Sequence, residues 1–399
     1  MPETLQTKKP SAYRWLMLIL IALPNCGTNY AQFQLSAFAA EFMEDFGLTA
    51  TQFSAVTLSF SAIAGIIGVC GGTIADRLGT RRVVVTLCFI TAAASLLRLL
   101  THSYAVFFLL SLFVGCGLGG VHATSGKIIN AWFPAKETGI AFSLYCAIGA
   151  AGISLAQLTS PLYTGYHQAL LVSGMILLAA AVMWLIFGRN APEGAVLPPS
   201  QPVLKYISRV VKLRNVWIVA LCCALFCGFI FAISALLPTV LVNTRGMETA
   251  RANSISSMLN IGAIVGSVII PALQARLGFG KYRPILISLM LLAAVCVPPI
   301  AIVSDGFILP LIFLLGVFVS VGCAYFMAIL AGLKEVGAEY LGSAQGIATL
   351  TQYLLGGFVI PSFVITPLVD ISGTMLFVSS AALCLLMALG TFLLPETGE

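Results

Sequence analysis

Long apolar runs recur along the whole chain, and each is long enough to cross a lipid bilayer as a helix. A spanning helix needs roughly 20 consecutive apolar residues. We predict twelve spans, numbered 1 to 12 in chain order, near residues 14–38, 52–75, 83–101, 105–131, 138–163, 168–188, 216–243, 252–274, 283–303, 307–332, 343–368 and 373–394. Only 9% of the 399 residues are charged, against about 25% in soluble domains. The sequence therefore predicts an all-α membrane protein.

The basic residues fall mainly on one side of the predicted spans. Lysine and arginine concentrate in loops that face the cytoplasm. With an inner N-terminus, the outer segments contain only Arg98, Arg245 and Arg251. The predicted inner side holds Lys8, Lys9, Arg14, Arg77, Arg81, Arg82, Lys127, Lys136, Arg189, Lys205, Arg209, Lys212, Arg214, Arg276, Lys281, Arg283 and Lys334. We therefore predict a multi-pass protein of the cell membrane with both termini cytoplasmic, and no nucleic-acid partner.

The middle of the chain contains its longest polar stretch, residues 189–215. Proline and scattered charge are typical of a linker, and this stretch contains Pro192, Pro198, Pro199 and Pro202. Its basic segment, 205–214, is predicted to lie on the anionic inner leaflet. The predicted domains are a six-helix bundle at 1–188, a cytoplasmic linker at 189–215 and a second six-helix bundle at 216–399.

The two predicted halves share short sequence patterns. The sequence GTIADRLGTRR follows span 2 at residues 72–82, and PALQARLGFGK follows span 8 at residues 271–281. A second repeat, GIA at 139–141 and GSA at 342–344, opens spans 5 and 11. A duplication of six spans indicates two pseudo-symmetric bundles, an arrangement found in secondary transporters.

Residues 72–82 resemble the loop 2–3 motif of the major facilitator superfamily, G-x-x-x-D-R-x-G-R-R, with Thr80 where a basic residue is common. The resemblance extends over essentially the whole chain, and it implies that spans 1, 4, 7 and 10 line a central cavity. It also implies a conformational latch for the outward-open state, made of Gly72, Asp76, Arg77, Gly79, Arg81 and Arg82. The alternative is that the arginines only anchor the topology, but an anchor does not need Asp76. The second copy of the motif has Ala275 in place of the acid.

Further sequence features indicate which group of transporters within the superfamily the chain resembles. The sequence WFP at 132–134, followed by ETG at 137–139, resembles the loop 4–5 signature of bacterial anion and organic-anion porters, such as the nitrate/nitrite, oxalate/formate and cyanate groups. Nitrate porters place an arginine in the middle of spans 2 and 8, and multidrug proton antiporters place one in span 4. The matching stretches here contain no arginine. The resemblance therefore implies a secondary transporter of a small organic or inorganic anion, with nitrate and drugs disfavoured.

Polar side chains within a bilayer are costly, so each marks a candidate site. In span 1, Asn25, Thr28, Asn29 and Gln32 follow the spacing i, i+3, i+4 and i+7, which places them on one helical face. Because the resemblance implies that span 1 lines the cavity, we expect this span 1 stripe to contact the substrate. The alternative is interhelical hydrogen bonding, worth about 0.6 kcal/mol per bond.

Three basic or titratable residues lie within or beside the first-half spans. His122 in span 4 either carries a coupling proton or is a neutral hydrogen-bond partner. Arg98 either attracts anions toward the cavity or extends to the outer interface. Lys127, near the inner end of span 4, is expected to have a topological or gating role. Further candidate lining groups are Tyr145, Asn260, Tyr325, Gln352 and Tyr353.

The sequence contains no P-loop, no nucleophile arrangement and no metal-ligand spacing, so we predict neither an enzyme nor a cofactor or metal site. The predicted partners are a small solute, the lipid bilayer and protons as a coupling ion, and the predicted state is a monomer. One alternative is a proton-coupled exporter of neutral or amphipathic compounds. Another is a non-transporting sensor or receptor with the same fold. A cationic side chain that faces the cavity would favour an anionic substrate over a neutral one.

Overall fold

The computed structural model describes residues 12–134, 137–192, 206–277 and 281–395. The regular structure within these ranges is helical. Some residues named in the predictions lie outside them, namely Lys8, Lys9, Lys136, Lys205, Pro198, Pro199, Pro202, Gly278, Phe279 and Gly280. The predicted domain boundaries stay predictions.

Eleven helices among the described residues are long and apolar enough to cross a membrane. They correspond to spans 2 to 12 and extend over Ala50–Leu78, Thr80–Leu100, Tyr104–Trp132, Thr138–Leu162, Tyr166–Phe187, Arg214–Arg245, Thr249–Leu277, Tyr282–Ala301, Asp305–Gly332, Tyr340–Ile371 and Met375–Leu393. Span 1 is the helix Tyr13–Ser36, with 24 residues. At 1.5 Å per residue it is about 36 Å long, which is enough to cross a bilayer. Span 1 has a lower hydropathy than the others because it contains the predicted polar stripe.

Helices pair in the same way in both halves. Span 2 packs against span 4, as span 8 packs against span 10. Span 1 packs against spans 5 and 6, as span 7 packs against spans 11 and 12. Spans 3 and 6 form a pair, and spans 9 and 12 form the corresponding one. The repeated pairing shows that the two halves are pseudo-symmetric bundles.

Glycines bring the paired helices into backbone contact within each half. A Cβ atom added to Gly115 in span 4 would lie 1.9 Å from a carbonyl oxygen of span 2, and one on Gly152 in span 5 would lie 2.2 Å from a carbonyl oxygen of span 1. In the second half, the corresponding distances are 2.0 Å for Gly316 against span 8 and 2.2 Å for Gly356 against span 7. Real Cβ atoms do not approach so closely, so these pairings require glycine.

The two halves meet along a seam formed by two helix pairs, spans 2 and 11 and spans 5 and 8. Two glycines of span 2 lie in the contact between spans 2 and 11. A Cβ atom added to Gly65 would lie 3.1 Å from the Cβ atom of Tyr353, and one added to Gly68 would lie 3.1 Å from the Cγ2 atom of Thr349. The missing side chains of Gly65 and Gly68 therefore let the two halves approach each other closely here.

Buried hydrogen bonds join the halves on the predicted outer side. The Nε2 atom of Gln157 in span 5 donates to the carbonyl oxygen of Ser234 in span 7 at 2.8 Å. The Nδ2 atom of Asn253, near the start of span 8, donates to the hydroxyl of Ser160 at 2.9 Å. All four residues are buried, so these bonds hold the halves together at two points on this side.

A cluster of three phenylalanines lies on the same seam. The ring of Phe231 in span 7 is 5.4 Å from that of Phe33 in span 1 and 5.8 Å from that of Phe60 in span 2, centroid to centroid. These distances are typical of favourable aromatic contacts. The outer plug, defined as Phe33, Phe60 and Phe231, places apolar side chains of both halves in contact.

Span 11 departs from regular α-helix in its middle. The segment Thr351–Ile365 is π-helical for 15 residues. π-Helical turns are rare and frequently occur at functional sites. Span 10 is also interrupted, between Val319 and Gly322. Both irregular helices belong to the second half.

The described part of the predicted linker contacts the start of span 11. It contains a single helical turn, Ile207–Val210. The Nη1 atom of Arg209 donates to the hydroxyl of Tyr340 at 2.8 Å, and the rings of Tyr206 and Tyr340 lie 5.2 Å apart. This basic segment is therefore attached to the second half, and its predicted contact with the inner leaflet stays a prediction.

Candidate functional site

A histidine in span 4 joins the two halves. The Nδ1 atom of His122 lies 3.1 Å from the hydroxyl of Tyr145 in span 5, and its Nε2 atom lies 2.8 Å from the hydroxyl of Tyr353 in span 11. Tyr145 belongs to the same half as His122, whereas Tyr353 belongs to the other. The His122 cluster, defined as these three residues, is thus a hydrogen-bonded link across the seam.

The direction of these hydrogen bonds depends on the charge of His122. A neutral imidazole has one donor and one acceptor nitrogen, while an imidazolium has two donors. A tyrosine hydroxyl both donates and accepts. In the neutral form, one tyrosine therefore donates to His122 and the other accepts from it. In the protonated form both tyrosines accept, so protonation reverses one hydrogen bond without breaking the chain of contacts.

His122 belongs to span 4, one of the four spans predicted to line the central cavity between the halves. Cys146, next to the buried Tyr145, is exposed. The Nε2 atom of Gln352 lies 3.7 Å from the Sγ atom of Cys323. Cys323 of span 10 and Gln352 of span 11 therefore lie together in the second half, and Gln352 is next to Tyr353 in the sequence.

The span 1 stripe lies at helix interfaces of the first half. The Nδ2 atom of Asn29 donates to the Oδ1 atom of Asn25 and to the carbonyl oxygen of Gly149 in span 5, both at 3.1 Å. Thr28 is fully buried, and its hydroxyl has no partner within the described ranges. Gln32, also fully buried, reaches span 4. This arrangement matches the interhelical alternative, and substrate contact by the stripe stays a prediction.

Arg98 turns into the first half, and its side chain is only 1% exposed. Its Nη1 atom donates to the Oε1 atom of Gln32 at 3.3 Å, its Nη2 atom donates to the hydroxyl of Ser95 at 3.1 Å, and its guanidinium carbon lies 5.5 Å from the ring centroid of Phe107. The predicted alternative that Arg98 extends to the outer interface is wrong, because the polar partners that it reaches lie inside the bundle. No carboxylate pairs with it among the described residues.

Two second-half candidates lie away from the His122 cluster. The hydroxyl of Tyr325 donates to the Oε1 atom of Gln274, and its ring packs against that of Tyr282 at 5.0 Å. The Nδ2 atom of Asn260 donates to the hydroxyl of Ser234 at 3.1 Å. Both contacts stay within the second half, so among the second-half candidates it is Tyr353, with Gln352 beside it, that lies at the centre.

Asp76 of the predicted latch forms an ion pair with Lys127 of span 4. The Nζ atom of Lys127 also donates to the carbonyl oxygen of Gly72 at 2.9 Å. Spans 2 and 4 belong to the same half, so this ion pair does not cross the seam. The sequence suggests a basic partner for Asp76 but does not identify Lys127, which is 51 residues away. The latch itself stays a prediction.

The rest of the loop between spans 2 and 3 is attached to the end of span 6. The backbone nitrogen of Arg81 donates to the Oδ1 atom of Asn190 at 2.8 Å, and its Nη2 atom donates to the carbonyl oxygen of Leu185 at 2.6 Å. Gly79 has a φ of +86°, in a region that favours glycine. Arg77 and Arg82 are exposed. Asn190 is a loop partner that the sequence analysis did not identify.

Residues 19–361 match the family description Major Facilitator Superfamily. The chain belongs to this family. The predicted fold, an all-α membrane protein with two six-helix bundles, is confirmed. The transporter is a multi-pass membrane protein, and the family assignment agrees with the expectation that it is not an enzyme.

Two curated relatives are similar to parts of the transporter. A probable sulfoacetate transporter of Cupriavidus necator is 25% identical over 162 residues, which cover 40% of this chain and 38% of the relative. A hexuronate transporter of Escherichia coli is 24% identical over 186 residues, which cover 46% of this chain and 43% of the relative. The chain thus matches less than half the length of each. Both names describe transporters of organic anions, which agrees with the predicted resemblance to organic-anion porters.

A solved structure shares the fold over nearly the whole chain. It is that of a bacterial homolog of the human lysosomal transporter Spinster, in an inward-facing and occupied conformation. The TM-score is 0.73 at 14% sequence identity, and the match covers 96% of this chain and 97% of the other. At this identity the likeness shows the fold alone.

Proposed function

We propose that the transporter moves a small organic anion across the cell membrane by alternating access, with the His122 cluster at its substrate site. The observation that carries the proposal is the pair of tyrosines on His122, one from each half. A ligand changes a conformational equilibrium only through its different affinity for the two states. A solute that binds where both halves meet makes such different contacts when the halves move.

The chemistry of the cluster suits an anion that is carried with a proton. A protonated His122 supplies a positive charge and two donors. An anion in the central cavity competes with Tyr353 for the Nε2 atom, and the amide of Gln352 offers a further donor. The two curated relatives support an organic anion, because sulfoacetate and hexuronates both carry acidic groups.

The contacts between the halves support an inward-facing state. The outer plug and the bonds from Gln157 and Asn253 hold the halves together on the predicted outer side. On the predicted inner side, Asp76 is bound within its own half by Lys127. We infer that the cavity opens to the cytoplasm in this state and that both termini lie there, as the distribution of basic residues predicts. The proposed working unit is the monomer.

A neutral or amphipathic solute, exported in exchange for protons, is the second candidate. One observation favours it: none of the hydrogen bonds described around His122 comes from a lysine or arginine. Arg98 is bound to Gln32 and Ser95, and Lys127 is bound to Asp76. A neutral solute would use the same hydroxyl and amide groups without needing a fixed charge.

A thermal-shift screen of the purified protein, followed by uptake in proteoliposomes, tests the choice between these candidates. A ligand that binds only the folded state raises the unfolding temperature. We expect sulfoacetate or a hexuronate to raise it and to be taken up, while uncharged sugars of equal size do neither. Stabilisation by neutral compounds alone would support the second candidate. Binding without any transport would support the sensor alternative.

Two histidine variants supply the matched comparison for this screen. His122→Gln removes the titratable ring from the proposed site, and we expect the anion-dependent shift to disappear. His102→Gln changes an exposed histidine at the outer end of span 3 and should leave the shift unchanged. Equal shifts in all three proteins would show that the anion binds elsewhere.

A further inference from the structure

A groove of about 530 Å³ lies on the surface of the first half, between spans 2 and 3. Span 2 contributes apolar side chains that include Ile66, Ile74 and Leu78, and span 3 contributes Thr86 and Arg82. The groove therefore lies between two membrane-spanning helices, and Arg82 is at its predicted inner end. This place is separate from the His122 cluster.

The groove opens toward lipid. Ile66, Ile74 and Leu78 are 46%, 45% and 56% exposed. The face of span 2 that carries Gly65 is directed at span 11 and is used by the seam. Span 4 lies behind the groove, because a Cβ atom on Gly71 would lie 3.0 Å from the Cβ atom of Ala123. Within a bilayer, an open apolar groove of this kind is filled by a hydrocarbon chain.

Arg82 is the charged residue of the groove lining. No hydrogen bond or ion pair engages it in the part of the chain that the structure describes, whereas its neighbour Arg81 is bound to Asn190 and Leu185. A planar guanidinium forms paired hydrogen bonds with a phosphate group. The inner leaflet is rich in anionic lipids, which basic residues near the membrane surface attract.

We propose that this groove binds one anionic phospholipid. Its acyl chain lies along Ile66, Ile74 and Leu78, and its phosphate contacts Arg82. The apolar wall alone would accept any lipid, so the selectivity for an anionic headgroup comes from Arg82. This inference does not depend on the transported solute, because none of the residues involved belongs to the central cavity.

Native mass spectrometry of the full chain tests the proposal. The protein is reconstituted in vesicles of phosphatidylcholine and phosphatidylglycerol, extracted in mild detergent, and its retained lipids are counted. We expect wild type to retain one phosphatidylglycerol in preference to phosphatidylcholine. One arginine near a membrane surface accounts for about a fivefold preference, so Arg82→Gln should lose about fivefold in retained phosphatidylglycerol.

Two further variants make the result specific. Arg77→Gln removes an exposed arginine of the same loop that does not line the groove, and it should retain the lipid as wild type does. Thr86→Trp fills the groove while Arg82 stays in place, and it should release the lipid. Thermal unfolding confirms that each variant is folded. Equal losses in Arg77→Gln and Arg82→Gln, or full retention by Thr86→Trp, would overturn the proposal.

Discussion

The two ring nitrogens of His122 have different partners, and these partners constrain different parts of the molecule. The contact of Nδ1 with Tyr145 stays within the first half, whereas the contact of Nε2 with Tyr353 crosses the seam. A change in the relative position of the halves must therefore alter the second contact before the first. The two tyrosines allow this difference to be measured by removing one hydroxyl at a time.

Tyr353→Phe removes the hydroxyl at Nε2 and keeps the aromatic ring. An interhelical hydrogen bond in a membrane is worth about 0.6 kcal/mol, so we expect the state with a closed outer side to lose about threefold in relative population. Distances measured by electron paramagnetic resonance between spin labels at Leu162 and Ile302, both exposed and on the predicted outer side, report this population. The labels are attached through non-natural amino acids because the chain has 11 cysteines.

Tyr145→Phe is the matched control for that measurement. It removes a hydroxyl from the same histidine but breaks a contact within one half. We expect the distance distribution to stay that of wild type. Equal shifts in the two variants would show that the cross-seam contact has no special role in the equilibrium.

The pH dependence of uptake tests whether His122 carries the coupling proton. Because glutamine does not titrate, His122→Gln should lower proton-driven uptake by at least about tenfold, as expected for loss of a positioned proton carrier, and the remaining uptake should no longer vary with pH. Initial rates in proteoliposomes with and without an imposed pH gradient give the comparison. A variant that keeps the gradient dependence of wild type would exclude His122 as the coupling group.

At the residue scale, the sequence identifies candidate site residues more readily than the residues to which they hydrogen-bond. His122 and Tyr145 stand out because polar groups within apolar runs are costly. The pairing of His122 with Tyr353 joins residues 231 positions apart, and no local pattern encodes it. The sequence also left open whether the side chain of Arg98 points into the bundle or to the outer interface. Its partners on spans 1 and 4 are known only once the packing of the helices is known.

At the element scale, backbone contacts fix each helix pair within a half. We expect Gly152→Ala to destabilise the protein, because the new Cβ atom would lie 2.2 Å from a carbonyl oxygen of span 1 and must push the helices apart. Overpacking of this kind typically costs about 1–3 kcal/mol. Thermal unfolding in detergent measures the loss, and Gly356→Ala should repeat it in the second half.

Gly126→Ala is the control for the helix-pair prediction. An added Cβ atom at this position has nothing within 4 Å. Alanine is favoured over glycine within a helix by about 1 kcal/mol, so the unfolding temperature should stay equal or rise slightly. A loss as large as that of Gly152→Ala would indicate that the effect comes from the substitution type and not from the contact.

Most helices could be predicted from the sequence because length and apolarity are local properties. For span 6, for example, the predicted bounds of 168–188 differ from the observed bounds, Tyr166–Phe187, by at most two residues at either end. The π-helical segment of span 11 could not be predicted, since no local pattern indicates it; it contains Gly356, packed closely against span 7, and Gly357, packed closely against the first half. The least regular element is thus also the one that carries Tyr353.

At the scale of the whole molecule, a small number of buried polar contacts hold the halves together on the predicted outer side. Gln157→Leu keeps the size of the side chain and removes the bond to Ser234. We expect it to favour the outward-open state by about threefold, on the scale of one interhelical hydrogen bond. The distance between labels at Leu162 and Ile302 should increase in a larger share of molecules.

Ser173→Ala is the control for the Gln157 prediction. Its hydroxyl is fully buried and bonds to carbonyl oxygens of its own helix, so its loss should leave the distances unchanged. If Gln157→Leu behaves like Ser173→Ala, the bond from Gln157 to Ser234 does not determine the balance between the states. The side on which the halves are held together was not predictable from the sequence, because one sequence must support both states of the proposed alternating-access cycle.

The glycines of span 2 in the contact with span 11 have a consequence for the rate of transport. Within each half, glycines bring backbone into direct contact with backbone, so each bundle is expected to move as a rigid unit. Gly65 and Gly68 carry no side chain that must clear span 11 in the proposed movement of one half against the other. A bulky side chain at either glycine would obstruct this movement, slowing turnover in both directions while each half keeps its shape.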